Sequence, residues 1–86
     1  MNKELEELQE IARVATSEAL KQYEPIPKEW EKNLTLGTFF EEDYRIFELY
    51  VAAEKSSGAI VISSARVSRR DQSVNVVISN LKPKSA

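Results

Sequence analysis

The sequence predicts an α+β domain, an N-terminal helix packed on a four-stranded antiparallel meander sheet. Three observations predict it. Apolar residues recur at alternating three- and four-residue spacing over residues 3–23, the signature of one buried helix face. Four later segments are rich in β-branched and aromatic side chains and show strand-like alternation. Short polar turns separate those segments, as in consecutive hairpins. The 86 residues have room for one small domain, residues 1–86, which buries a modest fraction of its unfolded surface.

The helix is expected over residues 3–23. Asn2 is a suitable cap, and Glu4, Glu6 and Glu7 favour the positive end of the helix dipole. Its stripe is Leu5, Leu8, Ala12, Ala15, Ala19 and Tyr23, widened by Ile11 and Val14, with Leu20 well off its centre. Alanines in mid-stripe permit close approach to a sheet. Pro25 and Pro27 stop this helix, and Pro27 opens a short second turn through Lys28, Glu29, Trp30 and Glu31. Trp30 is read as sealing one end of the core, with an exposed partner anchor as the alternative.

The first strand, LTLGTFF, sets Leu34, Leu36, Thr38 and Phe40 on one face, and Gly37 marks a bulge or a close backbone approach. Glu41, Glu42 and Asp43 form an acidic turn. In the second strand, YRIFELYVAA, Arg45, Phe47, Leu49, Val51 and Ala53 share the side expected beneath the helix. Tyr44, Ile46, Glu48, Tyr50 and Ala52 share the other. EKSSG is the next turn, AIVISSARV the third strand and SVNVVIS the fourth. Val74, Val76 and Ile78 alternate with Ser73, Asn75 and Ser79, and Val77 breaks the polar side. SRRDQ fills the reversal between the last two strands. LKPKSA ends the chain, and residues 82–86 are expected to be a flexible tail.

Charge is divided unevenly along the chain. Residues 1–54 carry 13 acidic and 6 basic side chains, a balance of −7, and residues 55–86 carry 1 acidic and 6 basic, a balance of +5. Folding could therefore present two faces of opposite sign. The opening MNKELEELQE lacks the apolar run of a signal peptide, and no segment reaches the length of a membrane span, so a cytoplasmic location is expected.

The chain contains neither cysteine nor histidine. Disulfides, thiolate metal sites, a Ser-His-Asp triad and histidine-ligated metals are thereby excluded within one chain. Carboxylate, lysine, tyrosine and serine chemistry remain open. Glu48 and Glu54 share a side of the second strand but lie roughly 20 Å apart along an extended chain, too far for a close acid pair. No nucleophile elbow, phosphate-binding loop, dinucleotide fingerprint or calcium-loop spacing occurs. No catalytic residue, cofactor or metal is assigned, and an enzyme built from a single chain is not expected.

Binding groups remain. Arg66, Arg69 and Arg70, with Lys55, Lys82 and Lys84 if these fold nearby, could meet an acidic partner. Nucleic acid is disfavoured because the patch is short, no aromatic is interleaved with it, and the net charge is −2. Glu41, Glu42 and Asp43 could meet a basic partner. Tyr44, Tyr50 and Trp30 offer large contact area with a hydrogen-bonding tip.

A long helix followed by a curved antiparallel meander resembles cystatin-like and NTF2-like small domains. FELYVAAEKSSGAIVISSARVSRRDQSVNVVIS is similar to the closing hairpins of small bacterial immunity proteins with such folds. The resemblance spans most of the chain in element order and implies an immunity or inhibitor role. The residues lead the same way, to a non-catalytic protein-binding module acting by steric occlusion. The proposed partner-binding residues are Trp30, Glu41, Glu42, Asp43, Tyr44, Tyr50, Arg66, Arg69 and Arg70. A structural homo-oligomer and a small nucleic-acid-binding regulator are the alternatives.

Overall fold

The computed structural model describes residues 3–52 and 58–84. The element order is α1 (Lys3–Leu20), α2 (Lys28–Glu31), β1 (Leu34–Phe40), β2 (Tyr44–Val51), β3 (Ile60–Ser68) and β4 (Val74–Ile78). The strands form one antiparallel sheet in the order β1-β2-β3-β4, the expected meander. The Asn2 cap, Ala53, Lys55 and all of the EKSSG turn but Gly58 lie outside the described residues.

The regular part of α1 ends at Leu20, three residues before the expected Tyr23. Its last turn tightens instead: Lys21, Gln22 and Tyr23 donate their N–H groups to the carbonyls of Glu18, Ala19 and Leu20. Pro25 explains this, because the residue before a proline is pushed out of the helical region. The chain then turns to a new partner. Glu24 N–H donates to the Lys82 carbonyl at 2.8 Å, and Lys84 N–H donates to the Gln22 carbonyl at 2.9 Å. Within the expected 82–86 tail, residues 82–84 are thus tied to the exit of α1, and residues 85 and 86 lie outside the described residues.

Cross-strand partners share a face, so the register defines both sides of the sheet. The inner side carries Leu36 opposite Leu49, Phe47 opposite Ala65, and Ala65 opposite Val76. The core lies here. Leu8 and Ala12 of α1 meet Phe47, Ala65 and Val67, with Leu5, Ile11, Val74 and Val76 packed around them. Ala12 and Ala65 are both buried and small, so backbone can approach backbone where the helix crosses the sheet.

The helix does not lie centrally. It packs on β3 and β4, more lightly on β2, and has no substantial contact with β1. The physical cause is width. An α-helix with its side chains is about 10–12 Å across. Four strands at about 4.8 Å spacing set the outer strand axes roughly 14 Å apart, with side chains beyond. One helix covers about half of that.

Gly37 falls in an unbroken β1–β2 register, so it marks no bulge, and what comes close to it is a side chain rather than another backbone. A Cβ added there would meet Tyr50 Cε1 at 3.3 Å, because the tyrosine ring lies across it. The bulge is in β3. The pairing shifts between Leu49 and Tyr50, leaving Ile62 as the extra residue and placing Ile62 and Ser63 in consecutive buried positions.

Candidate functional site: the open sheet and its charged end

Two turns meet at one end of the sheet, because the β1–β2 and β3–β4 connections of a meander emerge on the same side. The first is acidic, Glu41 to Asp43. The second carries Arg69 and Arg70. Ser68 N–H donates to the Ser73 carbonyl at 2.8 Å and closes the second hairpin. The Ser68 hydroxyl accepts from the Arg70 N–H at 3.1 Å, and the Asp71 carboxylate accepts from the Ser73 N–H at 2.9 Å. Hydrogen bonding to the Asp71 carboxylate, first from the Ser73 backbone and then from the Ser73 and Ser68 hydroxyls, holds its carboxyl below its ordinary pKa. Gln72 adopts a left-handed conformation, φ 61°, which is unusual for a residue with a side chain.

The acidic turn and the arginines, placed far apart by the sequence, contact each other. Arg66 Nη2 meets Glu41 Oε1 at 3.0 Å, and Arg70 Nε meets Asp43 Oδ1 at 3.5 Å. Arg69 reaches furthest. Its guanidinium meets the Glu4 carboxylate at 3.0 Å and the Glu42 carbonyl at 3.1 Å, while its N–H donates to the Asp43 carbonyl at 2.8 Å. One residue therefore joins the start of α1, the β1–β2 turn and the β3–β4 turn. The expected possibility of two oppositely charged faces is not what these residues form: each arginine of the hairpin meets a carboxylate of the acidic half. The pairs are solvent-exposed, so each contributes little, on the order of 0–1 kcal/mol. Their consequence is local neutralisation.

The outer side of the sheet faces away from α1. It carries Phe39 opposite Ile46, Ile46 opposite Arg66, Tyr44 opposite Ser68 and Ser64 opposite Val77. Tyr44, Ile46 and Tyr50 are half-buried, and Phe39 and Val77 are exposed. The Tyr50 ring lies over Gly37 beside the Phe39 ring, making an aromatic strip across β1 and β2. The Arg66 guanidinium stacks on Tyr44 with 4.0 Å from Cζ to the ring centre, while the same group binds Glu41. Tyr44, Tyr50, Arg66 and Glu41 thus share one surface and its margin. Trp30 stands apart, half-buried in α2 and outside the main core cluster.

The inner side is open where the helix does not reach. A cleft of about 510 Å³ lies between α1 and the β1–β2 half of the sheet. Its apolar wall includes Leu36, Phe47, Leu49, Ala12 and Leu20, and the Glu10–Arg13 ion pair lies at its rim. Leu36 and Phe40 are exposed on this side, and Arg45 lies 4.8 Å from the centre of the Phe40 ring.

Sequence reasoning missed Leu36, Phe39 and Phe40 as surface groups. The adjacent pair Phe39–Phe40 carried a signal, since neighbours on a strand point to opposite faces and one phenylalanine had to leave the core side. No group of three or more acidic side chains converges as a cation site among the described residues, and none of their helices is long and apolar enough to cross a membrane. No protein-family model, curated protein or solved structure matches this chain.

Proposed function

We propose that this chain is a non-catalytic protein-binding module whose outer sheet face docks on a partner protein and blocks it sterically. The observation that carries the reading is the aromatic strip of Tyr50 and Phe39, continued by Ile46 and by Tyr44 stacked under Arg66, on the side of the sheet away from the helix. Aromatic and arginine side chains dominate the energetics of protein interfaces, and the aromatic rings bury large area at little entropic cost. Hydrogen bonding across four strands holds that surface rigid, which reduces the ordering cost of binding. The charges of the adjoining turns, Glu41, Glu42, Asp43, Arg69 and Arg70, would sit at the rim and influence encounter more than residence.

An immunity or inhibitor protein acting in the cytoplasm is the most concrete form of this reading. The nucleic-acid alternative is weakened by the carboxylate on each hairpin arginine, which competes with a phosphate for the same donors. The test is affinity capture from native-host lysate with nuclease-treated controls, run in parallel with Val77→Lys and Ile46→Lys variants. A stoichiometric protein that survives nuclease and is lost with both variants is the expected result. Capture that is unchanged by both variants, or abolished by nuclease, would overturn the proposal.

A further inference from the structure

We propose that β1 pairs with β1 of a second copy of this chain, antiparallel, about a twofold axis at Gly37. This pairing is independent of what binds the outer face.

The backbone comes first. Ala52 N–H donates to the Asn33 carbonyl at 2.9 Å, and Glu41 N–H donates to the Tyr44 carbonyl at 3.0 Å. These bonds fix the alternation of the β1–β2 ladder: odd-numbered residues of β1 turn their N–H and C=O groups to β2. Leu34, Leu36, Thr38 and Phe40 turn theirs to the free edge. Among the described residues no turn or loop bonds to those groups. An unpaired row of this kind is a template for another strand, and proteins commonly blunt it with charge, proline, a bulge or a covering element. Between Leu34 and Phe40 there is no charge, no proline and no register shift.

The side chains come second. Of the five exposed large apolar residues among the described residues, three lie on β1: Leu36, Phe39 and Phe40. They flank the free edge on both faces of the sheet. Antiparallel pairing about Gly37 sets Leu34 opposite the second copy's Phe40 and Leu36 opposite its Thr38, and places the glycine, with no side chain to clash, at the axis.

Charge identifies the occupant. Lys32 and Glu42 stand equally far from Gly37 along the chain, one beyond each end of β1. Glu41 and Asp43 are engaged by arginines, but the Glu42 and Lys32 side chains have no ionic partner among the described residues. An antiparallel twofold brings the Lys32 end of each copy to the Glu42 end of the other. A parallel arrangement would set like against like. The strand is therefore complementary to itself in one direction only, which an arbitrary foreign strand would not match.

The test is the mass of the purified chain against concentration, by analytical ultracentrifugation and light scattering. The expected species is a dimer of the 9.8 kDa chain. Thr38→Pro removes an outward-facing N–H without taking a hydrogen bond from β2, and proline is tolerated on that side of an edge strand. It should leave the circular dichroism unchanged and weaken the dimer about tenfold or more, the scale of a lost backbone hydrogen bond on each side. Lys32→Glu and Glu42→Lys should each weaken the dimer, and the double exchange should restore it. A chain that stays monomeric up to its solubility limit would overturn the pairing. So would a dimer indifferent to Thr38→Pro, or charge variants without mutual rescue. Capture of a foreign protein that Thr38→Pro blocks and Val77→Lys leaves intact would show the edge serving another strand instead.

Discussion

The two halves of the sheet are built from similar residues and have different fates. On β3 and β4 the inner side lies under α1, where Ala65 and Val67 are fully buried against Leu8 and Ala12. On β1 the inner side also carries leucine and phenylalanine, yet Leu36 is 52% and Phe40 61% exposed. Strand propensity does not separate these halves; helix width does. A single helix on a four-stranded sheet leaves apolar surface over, and the position of the helix decides where that surface lies.

The largest expected contrast is between two leucines. Leu8→Ala empties a fully buried site and should cost about 2–5 kcal/mol, a large part of the stability of so small a domain. Leu36→Ala, the same chemical change in the open half, should alter monomer stability by less than about 0.5 kcal/mol. Urea unfolding at low protein concentration measures both, and equal costs would mean that the open half is closed in solution. A smaller effect is expected at the charged end. Arg69→Ala removes the pair with Glu4 and the bond to the Glu42 carbonyl, and should cost up to about 1 kcal/mol because those groups are partly solvent-screened. Its signature should be faster amide exchange at both turns with β3 protection retained. The smallest effect should be the acid response of Asp71. Its carboxyl is held below its ordinary value in the folded chain, so its contribution is present above the unfolded pKa and fades as pH falls through the folded one. Protection of the Ser73 amide should decline over that acid window in the parent chain, and the window should be absent in Asp71→Ala.

Local chemistry made most of the fold legible. Periodicity located α1, Pro27 opened α2, and alternation placed each strand to within about two residues, the usual uncertainty of element ends. What the sequence could not convey was relative placement. The same alternation describes Leu36 and Phe47, and only the lateral position of α1 makes one exposed and the other buried. The acidic and basic runs illustrate the same limit. Glu41 and Arg66 are 25 residues apart, and Glu4 and Arg69 are 65 apart. Their meeting follows from a meander that returns both turns to one end, which a charge count along the chain, open to opposed faces, could not show. Tyr44 and Tyr50 were assigned to the outer side from alternation alone, and they lie there, because a side-chain period of two is fixed by the strand itself.

The off-centre seat of α1 also sets a schedule. Within this chain the helix is synthesised well ahead of β3 and β4, the strands that cover most of its apolar stripe. Leu8 leaves the ribosome 68 residues ahead of Val76, an interval of roughly 3–14 s at about 5–20 residues per second. Through that interval the β1–β2 hairpin can close on itself, while the helix has only the Phe47 side of β2 to meet and lacks β3 and β4. Leu8 therefore leaves the ribosome ahead of Phe47, Ala65 and Val67, its buried partners on the sheet, and through that interval its stripe is open to a nascent-chain chaperone.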